Sequence, residues 1–430
     1  MVFEKMGGRH RGLFPFSEKI LIFGNRYIII IVKMKLINRE NYINVLIDTI
    51  DTPDIKVITG VRRSGKSKLL ELFAKHIRNT ITNANIIEIN YNLAKFTSIS
   101  NNVELLKYVN SKYVKNKQNF LLIDEIQLCE HFEKAIISLY TEEKYKIYIT
   151  GSNAFLSSSE LATLFTGRTF SIEIFPFSFK EYMKYYNYSD TYSAFERFIE
   201  EGGFAGSYLY KNAKQKYNYI KEIINVLILR DIINKYKIRH TNLFNDIFSY
   251  LINNISNLTS PSNIASFYNA NKTKVDHKTI AKYIEYLCNA YVFYKMKRYD
   301  IRGKKYLKST EKYYLSEHSI RYALLGTKNL DRGRIIENIV AIELLRRYEE
   351  VYVGVLYNTE IDFVAVNRNE KIYIQVCDNV SNFETLQREI KPLLQIKDGF
   401  KKIVLANTKQ NTYSIDGIDI IDISKWLSNT

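Results

Sequence analysis

The sequence predicts an α/β chain whose first large domain is built on a parallel P-loop sheet. Three observations carry this. In ITGVRRSGKSKLL, residues 58–70, Gly60 and Gly65 bracket Val61, Arg62, Arg63 and Ser64, and Lys66 and Ser67 follow: G-x-x-x-x-G-K-[ST]. The apolar run before this stretch reads as a strand, and Leu69, Leu70, Phe73 and Ile77 after it fall on one helical face. A second buried-strand run, Phe120 to Ile123, ends in paired acids, Asp124 and Glu125.

The chain opens with an N-terminal extension, 1–35. Its most apolar run, residues 21–32, is too short to span a bilayer and is broken by Gly24, Asn25 and Arg26. No small-residue cleavage site follows, which argues against a signal peptide. From Lys35 an amphipathic helix leads into the P-loop strand. The P-loop domain, 36–178, then carries the chemistry. Its glycines let successive N–H groups of Gly60 through Gly65 turn inward, and the helix starting near Gly65 aims its positive end at the phosphates. Lys66 reaches the β- and γ-phosphates of ATP, and the Ser67 hydroxyl ligates Mg²⁺. Asp124, at a strand end beside the loop, holds Mg²⁺ through water, and Glu125 orients or deprotonates the attacking water. Without a nucleotide these would be a Gly/Lys-rich surface turn and two exposed strand-end acids.

A further strand, KIYITGSN, ends in Ser152 and Asn153, and a polar side chain there can touch the γ-phosphate. The loop ATLFTGR ends in Arg168, placed either to reach a neighbouring subunit's γ-phosphate, which requires a homo-oligomer, or to make a local salt bridge.

LIDEIQ, TGSNAFLSS, GRTFSIEIFPFSFKEY, RDIINKYKIR, DRGRIIENIVAIELLRR and EIDFVAV, in this order over residues 36–380, resemble the bacterial and archaeal AAA-type ATP-binding proteins. These carry a C-terminal domain of unknown function with a restriction-endonuclease-like fold. The resemblance implies five parallel strands, a helical lid and a winged helix, with Lys66, Ser67, Asp124 and Glu125 carrying ATP binding and hydrolysis. After Gly202-Gly203-Phe204 the family more often has a proline and an acid. Here Ala205 and Gly206 follow, a departure of local loop shape.

The lid, 179–241, is helical and aromatic-rich. Residues 242–328 read as a winged helix-turn-helix: three helices, the second with Ser260 as N-cap and Pro261 at its first position, the third capped by Asp276. Two strands joined by a basic turn follow. On DNA the third helix would offer His277, Lys278 and Lys282 to the major groove. The wing would offer Lys295, Lys297, Arg298, Arg302, Lys304 and Lys305 to phosphates. Winged helices also serve as protein–protein modules, and wing lysines are often only solvated.

The last domain, 329–430, reads as a small α/β unit of restriction-endonuclease-like fold. Restriction-type nucleases set an Asp on one strand and Glu-x-Lys on the next to hold Mg²⁺ and activate water. Asp362 fills the first position and Glu337 the helix acid. Gln375 and Cys377 stand where Glu and Lys are expected, so the catalytic set is broken. Lys371 lies too far along the strand to fill the gap.

The net charge of the 430-residue chain, +17 from 62 basic and 45 acidic side chains, favours a polyanionic partner, although a bias toward Lys, Ile, Asn and Tyr would also produce it. Three scattered cysteines, Cys129, Cys288 and Cys377, make no metal or disulfide spacing and suit a reducing cytoplasm. No membrane partner is expected. The reading is a cytoplasmic AAA-type ATPase that couples ATP binding and hydrolysis to a DNA- or protein-engaging C-terminal half with an inactive nuclease-like domain. A non-hydrolysing nucleotide switch in a defence or signalling assembly is one alternative. An active metal-dependent nuclease is the other, and Gln375 and Cys377 argue against it.

Overall fold

The computed structural model describes residues 17–23, 26–32, 35–151, 165–270, 275–326, 331–380 and 382–429. Asn153 lies outside them. Residues up to Ile37 form a unit of their own, an antiparallel hairpin of β1 (Ser17–Phe23) and β2 (Arg26–Val32). All other elements belong to the second unit.

The P-loop region forms a three-layer sandwich. Its sheet runs β4 (Ala84–Asn90), β5 (Gln118–Asp124), β6 (Tyr145–Thr150), β3 (Ile55–Thr59), β7 (Thr169–Glu173), and every neighbouring pair is parallel. Sheets of this kind need apolar side chains on both faces, so their strands read as continuous apolar runs rather than alternating ones. All five residues of β3 are buried, Ile55, Val57 and Ile58 for this reason and Lys56 with its ammonium donating to the Thr52 carbonyl. In β5, Phe120 and Leu122 face helices α1 (Glu40–Asp48) and α2 (Lys66–Thr80), where Leu69, Leu70, Phe73 and Ile77 supply the stripe read from the sequence. Leu121 and Ile123 face the opposite layer, α3 (Asn102–Ser111) and α4 (Phe132–Thr141).

Helices α5 (Phe179–Tyr186), α6 (Thr191–Glu201) and α7 (Ala213–Val226) follow. Ser178 and Glu181 close a reciprocal capping box on α5. Gly202 ends α6 with φ +69°, and a Cβ there would lie 2.0 Å from a Glu317 carboxylate oxygen, so only glycine fits. α7 runs straight into a π-helical segment, Leu227–Ile233.

Next come α8 (Thr241–Asn253), α9 (Pro261–Ala270) and α10 (His277–Asn289), then the hairpin β8 (Phe293–Asp300) and β9 (Lys305–Leu315) and a short helix α11 (Ser319–Leu325). Asp276 accepts the Lys278 N–H, and the Ser260 hydroxyl accepts the Asn263 N–H. The hairpin does not stand alone. β8 pairs in parallel with β10 (Glu350–Leu356), so β8 and β9 form one edge of an eight-stranded mixed sheet. The sheet continues through β11 (Thr359–Asn367), β12 (Glu370–Cys377), β13 (Lys401–Ala406), β15 (Ile418–Asp422) and β14 (Tyr413–Ile415). One face packs on α12 (Arg332–Arg347), the other on α13 (Phe383–Leu394).

Candidate nucleotide-binding site

The loop from Gly60 to Lys66 leaves the carboxyl end of β3 and enters α2. Gly60 has φ +129°, and a Cβ there would lie 2.0 Å from the Ile174 carbonyl oxygen, so the strand-to-loop turn demands glycine. Val61 and Ser64 are buried, Arg62 is half-buried and Arg63 is exposed. The Lys66 ammonium is buried and donates to the carbonyls of Gly60 (2.7 Å) and Val61 (3.2 Å). Burial pulls its pKa down to about 8, against the opposing pull of Glu125 and Asp124.

The strand-end acids meet this loop. The Ser67 hydroxyl donates to Asp124 Oδ1 at 3.0 Å, and the Thr150 hydroxyl, from the end of β6, donates to the same oxygen. Asp124 Oδ2 is buried and has no hydrogen-bond partner among the described residues. Burial raises the Asp124 carboxyl above its ordinary range, more than the Thr150 and Ser67 hydroxyls lower it. A buried carboxylate oxygen with no donor, beside a serine hydroxyl, is the donor set a Mg²⁺ ion satisfies. Glu125 stands half-buried in the left-handed region, φ 60°, and accepts from Gln127 Nε2 at 2.7 Å.

Three further residues shape the site that motif reading did not find. Thr150 is the first. Arg39 is the second, buried just before α1. It donates to the Ser64 carbonyl of the loop (2.9 Å) and the Phe175 carbonyl beyond β7 (2.9 Å), and pairs through two bonds with Glu181 (2.7 and 2.9 Å). Burial alone would push Glu181 up, but Arg39 holds its carboxyl below the ordinary value. The third is Asp231, buried on the π-helical segment, 3.5 Å from Arg62 of the loop. π-Helical turns recur at functional sites. Val61 belongs to the same apolar cluster as Ile220, Phe244, Ile280 and Val292, so the loop packs on the helices that follow it.

Arg168 is exposed and directly precedes β7, its carbonyl accepting the Ile55 N–H at 2.8 Å. It lies at the amino end of the parallel β3–β7 pair, whereas the P-loop leaves the carboxyl end, so Arg168 does not join its own chain's loop. On the later helices, His277, Lys278 and Lys282 are exposed, as are Lys295, Lys297, Arg302, Lys304 and Lys305 on the hairpin, while Arg298 is half-buried. Lys295 pairs with Glu311 at 3.5 Å, and Arg302 stacks over Tyr357.

In the last unit Asp362 and Glu337 do approach one another, but around Lys312 of β9 rather than around an open site. Gln375 Oε1 accepts the Asp362 N–H at 2.7 Å, Cys377 is a thiol that burial holds well above its ordinary pKa, and Lys371 lies over the Phe400 ring at 4.8 Å. Among the described residues no group of three His, Cys, Asp or Glu side chains is arranged for a metal ion, and no helix is long and apolar enough to cross a membrane.

Residues 52–183 match a family described as an AAA domain, and residues 192–331 match a domain of unknown function, DUF8612. An uncharacterized protein of Haemophilus influenzae is 36% identical over 401 residues, 91% of this chain and 98% of its own. Uncharacterized protein MJ1544 of Methanocaldococcus jannaschii is 32% identical over 410 residues, 91% of this chain and 88% of its own. Among solved structures, the Walker-type ATPase PABY2304 of Pyrococcus abyssi is similar over 67% of this chain and 96% of that one, at 16% identity and a TM-score of 0.46. The chain therefore belongs to the family of these bacterial and archaeal proteins and carries an AAA-type P-loop domain at its front.

Proposed function

We propose that this protein is an ATPase whose hydrolytic cycle drives its C-terminal half against a nucleic acid. The observation that carries the reading is the convergence of Lys66, Ser67, Asp124 and Glu125 at the carboxyl end of the sheet, with one Asp124 oxygen buried and without a hydrogen-bond partner among the described residues. Loop N–H groups and the start of α2 cradle the phosphates, and Lys66 turns from the Gly60 and Val61 carbonyls to the β/γ oxygens. Ser67 and Asp124 would hold Mg²⁺, which would supply positive charge against the charge developing on the phosphate. Glu125 takes up the proton of the attacking water. In this reading Arg168, at the far end of its own sheet, serves the phosphate of a neighbouring copy in a homo-oligomer.

Coupling to the rest of the chain has material support. The Tyr291 hydroxyl reaches Thr59 Oγ1 (3.4 Å), the last residue before the loop, and the Tyr294 hydroxyl donates to Glu173 at the end of β7. Both tyrosines flank the start of β8, so a shift at the loop is felt by the basic hairpin. Exposed Lys278 and Lys282 on α10, with Arg302, Lys304 and Lys305 at the hairpin turn, supply a cationic surface for a phosphate backbone. The nuclease-like unit is read as catalytically silent. Steady-state ATP turnover with and without duplex DNA, at several salt concentrations, tests the proposal. Turnover raised several-fold by DNA, and less so at high salt, is the expected result. Tight nucleotide retention with negligible turnover would replace the motor by a switch.

A further inference from the structure

The last unit brings three carboxylates to one point. Glu337 comes from α12, and Glu360 and Asp362 from β11. Between them stands the ammonium of Lys312, whose side chain is 5% exposed. It is 2.9 Å from Glu337 Oε1, 2.7 Å from Glu360 Oε1 and 4.0 Å from Asp362 Oδ1. Two further donors reach these carboxylates. The Tyr314 hydroxyl donates to Glu337 Oε1 at 2.8 Å, and the Val376 N–H donates to Asp362 Oδ2 at 2.8 Å.

A restriction-type site would need a divalent cation where these carboxylates converge, and its lysine beside the metal, facing water. We propose instead that Lys312 is the resident cation of this centre: its ammonium takes the position between Glu337, Glu360 and Asp362 that a divalent ion would need, so the C-terminal unit is a metal-free brace. The argument is chemical. An ammonium has three donors and no acceptor, so it satisfies carboxylates as a cation does and cannot ligate one. A divalent ion bound to the same oxygens would sit in repulsive contact with a buried ammonium deprived of its partners. The centre is not sealed against ions. A cavity of about 400 Å³, lined by Tyr250, Asn254, Ser256, Asn257, Thr259, Lys312 and others, opens onto Lys312 and Glu360. What excludes a metal is the occupant rather than the route. The brace also has a mechanical meaning, because β9 is the outermost strand and carries the basic hairpin, while β11 lies further into the same sheet and α12 packs on its face. Lys312 therefore fastens the surface proposed to meet nucleic acid to the sheet that supports it.

The test is Mn²⁺ binding by the full chain without nucleotide, followed by electron paramagnetic resonance and by the thermal midpoint, in the parent, Asp362→Asn, Lys312→Arg and Lys312→Met. Mn²⁺ binding by the parent is expected to be the same as in Asp362→Asn, because in both the Lys312 ammonium occupies the centre. Lys312→Arg keeps a cation and should fold and stay indifferent to Mn²⁺. Lys312→Met should melt well below the parent, gain one additional Mn²⁺ per chain and recover stability when it is added. If Lys312→Met does not fold, the comparison of parent with Asp362→Asn still decides. Mn²⁺ bound by the parent and absent from Asp362→Asn would overturn the proposal. So would a Lys312→Met chain that melts like the parent and binds no extra ion.

Discussion

Lys66 carries two separable expectations. Lys66→Ala removes the ammonium aimed at the β/γ oxygens, and calorimetry should find tight ATP binding abolished; Glu125→Gln should bind ATP and fail to turn it over. The second concerns pH. Burial sets the Lys66 pKa of the free protein at about 8, and phosphate requires the charged form. ATP affinity should be level below pH 8 and fall above it by about tenfold per pH unit, with proton uptake on binding. Calorimetry in buffers of different ionisation heat reads that uptake directly. Arg39→Ala should cost about 3–5 kcal/mol of unfolding free energy, because it leaves Glu181 buried without its partner. The sign with pH follows. In the parent Glu181 titrates below its ordinary value, so the pair's contribution is complete above that value and lost as pH falls through the depressed one. In the variant burial alone acts and pushes Glu181 up. Denaturant melts should therefore show the gap between parent and variant narrowing as pH is lowered from neutrality through the carboxylate range. Arg39→Lys should recover only part, since an ammonium cannot make the forked contact to Glu181 while also reaching two carbonyls.

Elements that sequence periodicity describes well are those whose burial is local. The β5 run and the α2 stripe are visible because each buries a whole strand or a whole helical face. The hairpin of β8 and β9 was legible as two strands and a basic turn, but not its parallel pairing with β10, which depends on where a distant strand arrives. The turn itself carries a prediction. Lys304 has φ +48° and is exposed, so its replacement should be one that tolerates the left-handed region. Lys304→Asn with Lys305→Gln is expected to weaken duplex binding equally across sequences. The slope of log affinity on log salt should flatten by about 0.9 for each phosphate no longer neutralised. Fluorescence anisotropy across a salt series reads both. An unchanged affinity and slope would turn the surface over to a protein partner.

For the whole molecule, the resident-lysine reading makes the C-terminal unit a support rather than a cutter. Plasmid and linear DNA incubated with Mg²⁺ or Mn²⁺ should stay intact, with the parent and with Asp362→Asn alike. Cleavage by the parent that vanishes in that variant would make the unit a working nuclease, with Lys312 as its recruited lysine. The proposed use of Arg168 is also a whole-molecule property. Arg168→Ala should lower turnover while leaving ATP affinity near that of the parent. Adding a binding-defective Lys66→Ala chain that keeps Arg168 should restore part of the turnover if copies share a site.

The sequence carries the P-loop, the strand-end acids and the order of strands and helices openly, because each is written in contiguous residues whose spacing is set by backbone geometry. It also has Gln375 and Cys377 where a restriction-type set would carry Glu and Lys. What stands around those parts is visible in the folded chain and not before. Arg39 meets the loop at Ser64, Asp231 meets it at Arg62, and Lys312 meets Glu337, Glu360 and Asp362 from another strand. Such charges carry no periodicity, since a lone Arg, Asp or Lys looks the same whether solvated or buried. Their pairing is enforced by desolvation, which exists only once the chain has closed around them.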